Sequence, residues 1–86
     1  MTDRPVKHSL TLLGHRTSVS LEPEFWQAFR DIAAAADTPI NALAARIDAA
    51  RGTDLGLASA IRLYVLRHYR DALEKAQNSS RLDNHP

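Results

Sequence analysis

Between Arg16 and Trp26 the hydrophobic period of this chain changes from two residues to a helical one across the single step Glu22-Pro23. Thr17, Val19 and Leu21 alternate with Arg16, Ser18 and Ser20, the pattern of a half-buried strand whose polar face is rich in hydroxyls. Pro23 then opens a helix, where its missing N–H costs nothing, and Glu22 and Glu24 suit the positive end of the helix dipole. With 86 residues the chain is one domain with a modest core of its own, the size class that often gains stability by oligomerising.

Upstream of that strand, Val6 to Leu13 alternates loosely, with His8, Leu10 and Leu12 on one side and Lys7, Ser9, Thr11 and Leu13 on the other. Two readings are open. In one, this is a first strand, joined through a turn or bulge at Gly14-His15 to a second strand over 16–21. In the other, 16–21 is a lone strand preceded by a loosely packed arm. Residues 1–5 are expected to be disordered.

Downstream, the pattern predicts three helices. The first covers 23–36, with Phe25, Phe29, Ile32, Ala33 and Ala36 in one apolar stripe and Trp26 beside it. The second covers about 39–51, with Thr38 as N-cap, Pro39 as its first residue, an inner face of Ile40, Leu43, Ala44 and Ile47, and Gly52 as its stop. The third runs from Leu55 or Leu57 to Ala76. Its middle, Ala60 to Leu66, is apolar nearly all round, so more than one side should be covered, a partner subunit being the expected cover. Residues 77–86 read as a disordered tail.

Cysteine is absent, which excludes disulfide staples and thiolate metal sites. No stretch has the apolar core of a signal peptide or the length of a membrane span, so the expectation is a cytoplasmic protein with no membrane partner. The net charge is only +1, but residues 1–20 hold Arg4, Lys7 and Arg16 against Asp3 alone. A two-fold dimer would double that local surplus. A Gly-rich phosphate loop, a nucleophile elbow and a metal-binding helix pair are all missing, so no enzyme and no cofactor are implied. A chain this short is not expected to enclose a ligand cleft of several hundred Å3. His8 and His15 flank the turn, with no acidic or thiol partner at metal-ligand spacing.

The run Gly14-His15-Arg16-Thr17-Ser18-Val19-Ser20-Leu21-Glu22-Pro23-Glu24-Phe25-Trp26 resembles the ribbon-helix-helix proteins of the Arc and MetJ type, and within them a bacterial subfamily of small domains. Ile47-Asp48-Ala49-Ala50-Arg51 and Leu57-Ala58-Ser59-Ala60-Ile61-Arg62 are similar to the same group. The likeness spans roughly residues 6–70. It implies a mainly α fold with a short N-terminal strand, built as an intertwined homodimer whose strands pair antiparallel and enter the major groove of double-stranded DNA. Carried over by position, Arg16, Ser18 and Ser20 face the bases, and Val19, Leu21, Trp26, Ile61 and Val65 form the dimer core. Arg4, Lys7, Thr38 and Asn41 contact phosphates, the last two at a helix N-terminus that offers free N–H groups.

This chain has one helix more than an ordinary member. Either the helix over 39–51 is the family's second and the third is an extension, or the third is the family's second and 39–51 is inserted. The first choice puts the phosphate near Thr38, Ile40 and Asn41, and the second at Leu57 to Arg62. The function so implied is transcriptional regulation by sequence-specific DNA binding. The alternative is an antitoxin-like or adaptor dimer that has lost DNA binding and uses its third helix for a protein partner.

Overall fold

The structure, a computed structural model, describes residues 4–83. Two antiparallel strands, β1 (Val6–Leu12) and β2 (His15–Leu21), form a hairpin, followed by α1 (Pro23–Ala35), α2 (Ile40–Ala50) and α3 (Leu57–Asp83). The two-strand reading therefore holds over the lone strand. The turn sits one residue earlier than expected, on Leu13 and Gly14, with His15 already in β2 opposite Leu12. Leu13 and Gly14 both have positive φ, 52° and 85°. That is the two-residue turn whose twist matches a hairpin, with leucine in a position that asparagine or glycine usually takes.

The register runs from Leu12↔His15 to Val6↔Leu21. A two-residue turn closes on a hydrogen-bonded pair, so the main-chain groups of His8, Leu10, Thr17 and Val19 face the neighbouring strand. Those of Lys7, Ser9, Thr11, Arg16, Ser18 and Ser20 point out to the two edges. Thr11 bears this out, because its N–H donates to Oδ1 of Asn41 at the start of α2, 3.1 Å away.

The inner face of the hairpin buries Leu10, Leu12, Val19 and Leu21 against Phe29, Ile32 and Ala33 of α1, Leu43, Ala44 and Ile47 of α2, and Ala60, Ile61 and Val65 of α3. Leu21, Phe29 and Ile61 are fully buried at its centre. Val19, Leu21, Ile61 and Val65, expected in a dimer core, are thus covered within one chain, because the helices fold back over their own hairpin. Trp26 is half-buried at the edge of this core.

Helix boundaries depart from expectation at three points. Thr38 is not the N-cap of α2; Pro39 is, and no side chain caps it. Thr38 instead closes α1: its N–H donates to the Ala33 carbonyl while the N–H of Asp37, at φ 51°, donates to that of Ala34. This is a Schellman motif with aspartate in the left-handed position. Ala36, placed in the apolar stripe, becomes the exposed C-cap. Finally, α3 continues past Ala76 to Asp83, through residues that expected disorder but contain neither glycine nor proline to stop a helix. Residues 1–3 of the expected arm and 84–86 of the expected tail lie outside the described residues.

Candidate nucleic-acid interface

The outer face of the hairpin carries Lys7, Ser9 and Thr11 on β1 and Arg16, Ser18 and Ser20 on β2. The alternation that buries Leu10, Leu12, Val19 and Leu21 forces these six outward, and all six are exposed. They face one another in directly opposed pairs, Lys7↔Ser20, Ser9↔Ser18 and Thr11↔Arg16. The result is a flat polar strip with four hydroxyls, a cation at each of two diagonal corners and no carboxylate. Among the described residues neither Lys7 nor Arg16 has a salt-bridge partner. Such a strip presents donors to acceptor-rich surfaces and has no negative group to repel phosphate.

Arg16, Ser18 and Ser20 lie on the face that their period in the sequence predicts. Ser9 and Thr11, expected on the face of β1 opposite His8, Leu10 and Leu12, stand beside them. The signal was present in the shared period of the two segments, but only the register shows that they stand beside the other three.

The two edges of the hairpin differ. On β1, Asn41 of α2 occupies the outward N–H of Thr11. On β2, the outward main-chain groups of Arg16, Ser18 and Ser20 make no hydrogen bond among the described residues. Asn41 is exposed, and with Oδ1 engaged its side-chain amide N–H groups remain for another acceptor. The first-turn N–H groups of α2 lie beside it without a side-chain cap. Thr38 donates its hydroxyl proton to the Ala36 carbonyl, and Arg4 lies exposed just before β1.

The corner from strand to helix is held by Glu22. It is the N-cap of α1 and its carbonyl takes the Trp26 N–H, but its side chain makes no cap. The carboxylate instead accepts two hydrogen bonds from Arg62 of α3, at 2.8 and 3.1 Å. The Arg62 guanidinium holds the Glu22 carboxyl below its ordinary range, with its own main-chain N–H adding to the effect. Arg62, expected on a solvated mixed-charge face, is therefore a tie between elements, and it also lies 6.0 Å from the centre of the Phe25 ring. The expected pair of Asp48 and Arg51 is present at 2.6 Å, and Arg51 also donates to the Leu55 carbonyl, bracing the loop before α3.

His8, on the inner face, stacks on Trp26 with ring centres 3.8 Å apart and planes 7° apart. Among the described residues no three metal-ligating side chains come together. Under the hairpin tip lies an open groove of about 510 Å3, lined by Leu12, Leu13, His15, Thr17, Ala45 and Leu57 among others; it is larger than expected for so short a chain, though not enclosed. The outer half of α3 leaves Leu66, Tyr69 and Leu73 about half exposed. No helix among the described residues is long and apolar enough to cross a membrane.

A family model described as "Ribbon-helix-helix domain" matches residues 5–69, from the start of β1 into α3. No curated protein and no solved structure matches the chain. Domains of that family generally bind DNA as regulators of transcription and are generally not enzymes. With that match over three quarters of its length, taking in the hairpin, α1, α2 and the first half of α3, the chain belongs to the ribbon-helix-helix domain family.

Proposed function

We propose that this chain is a sequence-specific DNA-binding protein, a transcriptional regulator acting as a homodimer. The observation that carries the reading is the outer face of the hairpin: six exposed side chains, four hydroxyls and two cations, with no element packed over them. Two copies join by antiparallel addition of β2 to β2 across the open edge, where the groups of Arg16, Ser18 and Ser20 are unpaired. The paired strands enter the major groove. Arg16 takes a guanine edge in two places, and Ser18 and Ser20 donate to or accept from neighbouring bases. Lys7, Arg4, Asn41 and the first-turn N–H groups of α2 hold phosphates; Thr38, its hydroxyl and N–H both engaged at the end of α1, serves to place that turn. Asn41 at the hairpin edge favours α2 as the clamping helix. A cytoplasmic location belongs to the same reading.

The test is selection from a random duplex pool, with anisotropy at low and near-physiological salt. A two-fold symmetric motif that survives the higher salt supports the reading. Binding that disappears with salt and enriches no motif contradicts it.

A second reading has its own observation. Leu66, Tyr69 and Leu73 lie at i, i+3 and i+7 on the part of α3 that projects beyond the core, an apolar stripe of the kind that seats a partner protein. Cutting the chain after Arg70, together with Leu66→Ser and Tyr69→Ser, removes the whole stripe. A truncated protein that still selects the same DNA motif but loses a co-purifying protein would favour a partner here; one that loses nothing counts against it.

A further inference from the structure

We infer that β1 is a phosphate-contacting flank of the ribbon, with Ser9 and Thr11 joining Lys7 against the DNA backbone on each side of the groove. This rests on the DNA-binding reading above. The two edges of the hairpin decide which strand lies outside. Asn41 and the start of α2 fill the Thr11 position on the β1 edge and leave only Lys7 and Ser9 open there, while the β2 edge is open along its length at Arg16, Ser18 and Ser20. A second copy therefore adds at β2, and the strand order across the dimer is β1, β2, then the partner's β2 and β1.

Neighbouring strands lie about 4.8 Å apart, so the axes of the two outer strands are separated by about 14 Å. The major groove is about 12 Å wide and admits a two-stranded ribbon. The central pair fits between the phosphate walls. The two β1 strands do not, and come to rest over the walls themselves.

The outer face of β1 offers Lys7, Ser9 and Thr11, a cation and two hydroxyl donors, each directly opposite a β2 residue of the reading face. The amide of Asn41 continues the same line at the outer edge, beside Thr11. Base reading and backbone holding are thus divided between two strands of one hairpin. Lys7, Ser9 and Thr11 set affinity and position, and Arg16, Ser18 and Ser20 set sequence.

The experiment compares the parent with Lys7→Gln and Ser9→Asp on the selected duplex and on a scrambled one, across a salt series, with far-UV circular dichroism to check that each variant is folded. Lys7→Gln should weaken binding to both duplexes alike and lower the salt slope by about 2 for a dimer, about 0.9 for each lost phosphate contact. Ser9→Asp, which sets a carboxylate against phosphate, should weaken both about tenfold or more without changing the preferred bases. A folded Ser9→Asp protein that selects a different base would place β1 inside the groove and overturn the assignment, as would variants that bind like the parent. A parent that binds neither duplex would overturn the DNA-binding reading itself.

Discussion

The Arg62 guanidinium reaches back along the chain to grip the Glu22 carboxylate with two hydrogen bonds, joining the middle of α3 to the corner where β2 becomes α1. Arg62 holds the Glu22 carboxyl below its ordinary range, so the folded state binds that proton less readily than the unfolded one. The stabilisation is therefore present above the ordinary glutamate range and fades as the pH falls through the lowered one. Urea midpoints should show Glu22→Gln less stable than the parent at pH 7, with the two converging as the pH falls below the ordinary glutamate range. A constant gap across that range would contradict the assignment.

Leu13 is 87% exposed at φ 52°, so it contributes little packing and carries the cost of a left-handed backbone. Leu13→Asn creates Asn-Gly, the pair best suited to this turn. It should stabilise the fold by about 1 kcal/mol, visible as a rise in Tm of about 4–8 °C for a domain of this size. Asp37→Gly at the end of α1 should act in the same direction for the same reason. A fall in Tm in both would show that the two side chains hold something that the turn geometry does not account for.

Trp26 is the only tryptophan of the chain and lies flat on His8. His8→Ala removes that stack and should cost about 0.5–1.5 kcal/mol of stability beyond the lost contact area. Trp26 emission should change in intensity in the folded state and lose that difference in denaturant. An unchanged native spectrum would mean that the hairpin does not rest on Trp26 in solution.

The N–H of Ser18 faces away from β1, so proline at that position removes no hydrogen bond inside the hairpin but blocks strand addition at the β2 edge. Sedimentation should find the parent dimeric and Ser18→Pro monomeric, or at least tenfold weaker in self-association, with its far-UV spectrum retained. Ser9→Pro, on the opposite edge, should remain a dimer. The reverse result would put the interface on β1.

Most of the architecture was readable because its signals are local. The alternation at Thr17, Val19 and Leu21, the Glu-Pro step and the spacing of Phe25, Phe29 and Ile32 each fix an element through its own period, and the structure places those elements accordingly. What failed to show was what depends on contact across the chain. Thr38 looks like an N-cap, and only the bond from its N–H to Ala33 reveals that it finishes the preceding helix. Arg62 sits among charges typical of a solvated face, and its partner lies forty positions away. Ile61 and Val65 are buried under the hairpin and its neighbours within one chain, a cover that the apolar pattern of the helix does not specify. At the candidate site, the outward placement of Arg16, Ser18 and Ser20 was legible from period, and their role at the bases is what the family resemblance implies. The joining of Ser9 and Thr11 to them depends on register, which the turn at Leu13 and Gly14 sets and which moves by a residue if the turn does.

The central claim is that the outer face of this hairpin reads base sequence, and Arg16→Ala tests it most directly. Affinities of the parent and of this variant should be measured on the selected duplex and on a scrambled one, near physiological salt. The parent should prefer the selected duplex, and Arg16→Ala should lose about 1–3 kcal/mol on it and relax the preference at a single base position while remaining a dimer. Equal affinity for the two duplexes, before and after the substitution, would contradict the claim and leave the hairpin a device for folding and self-association alone.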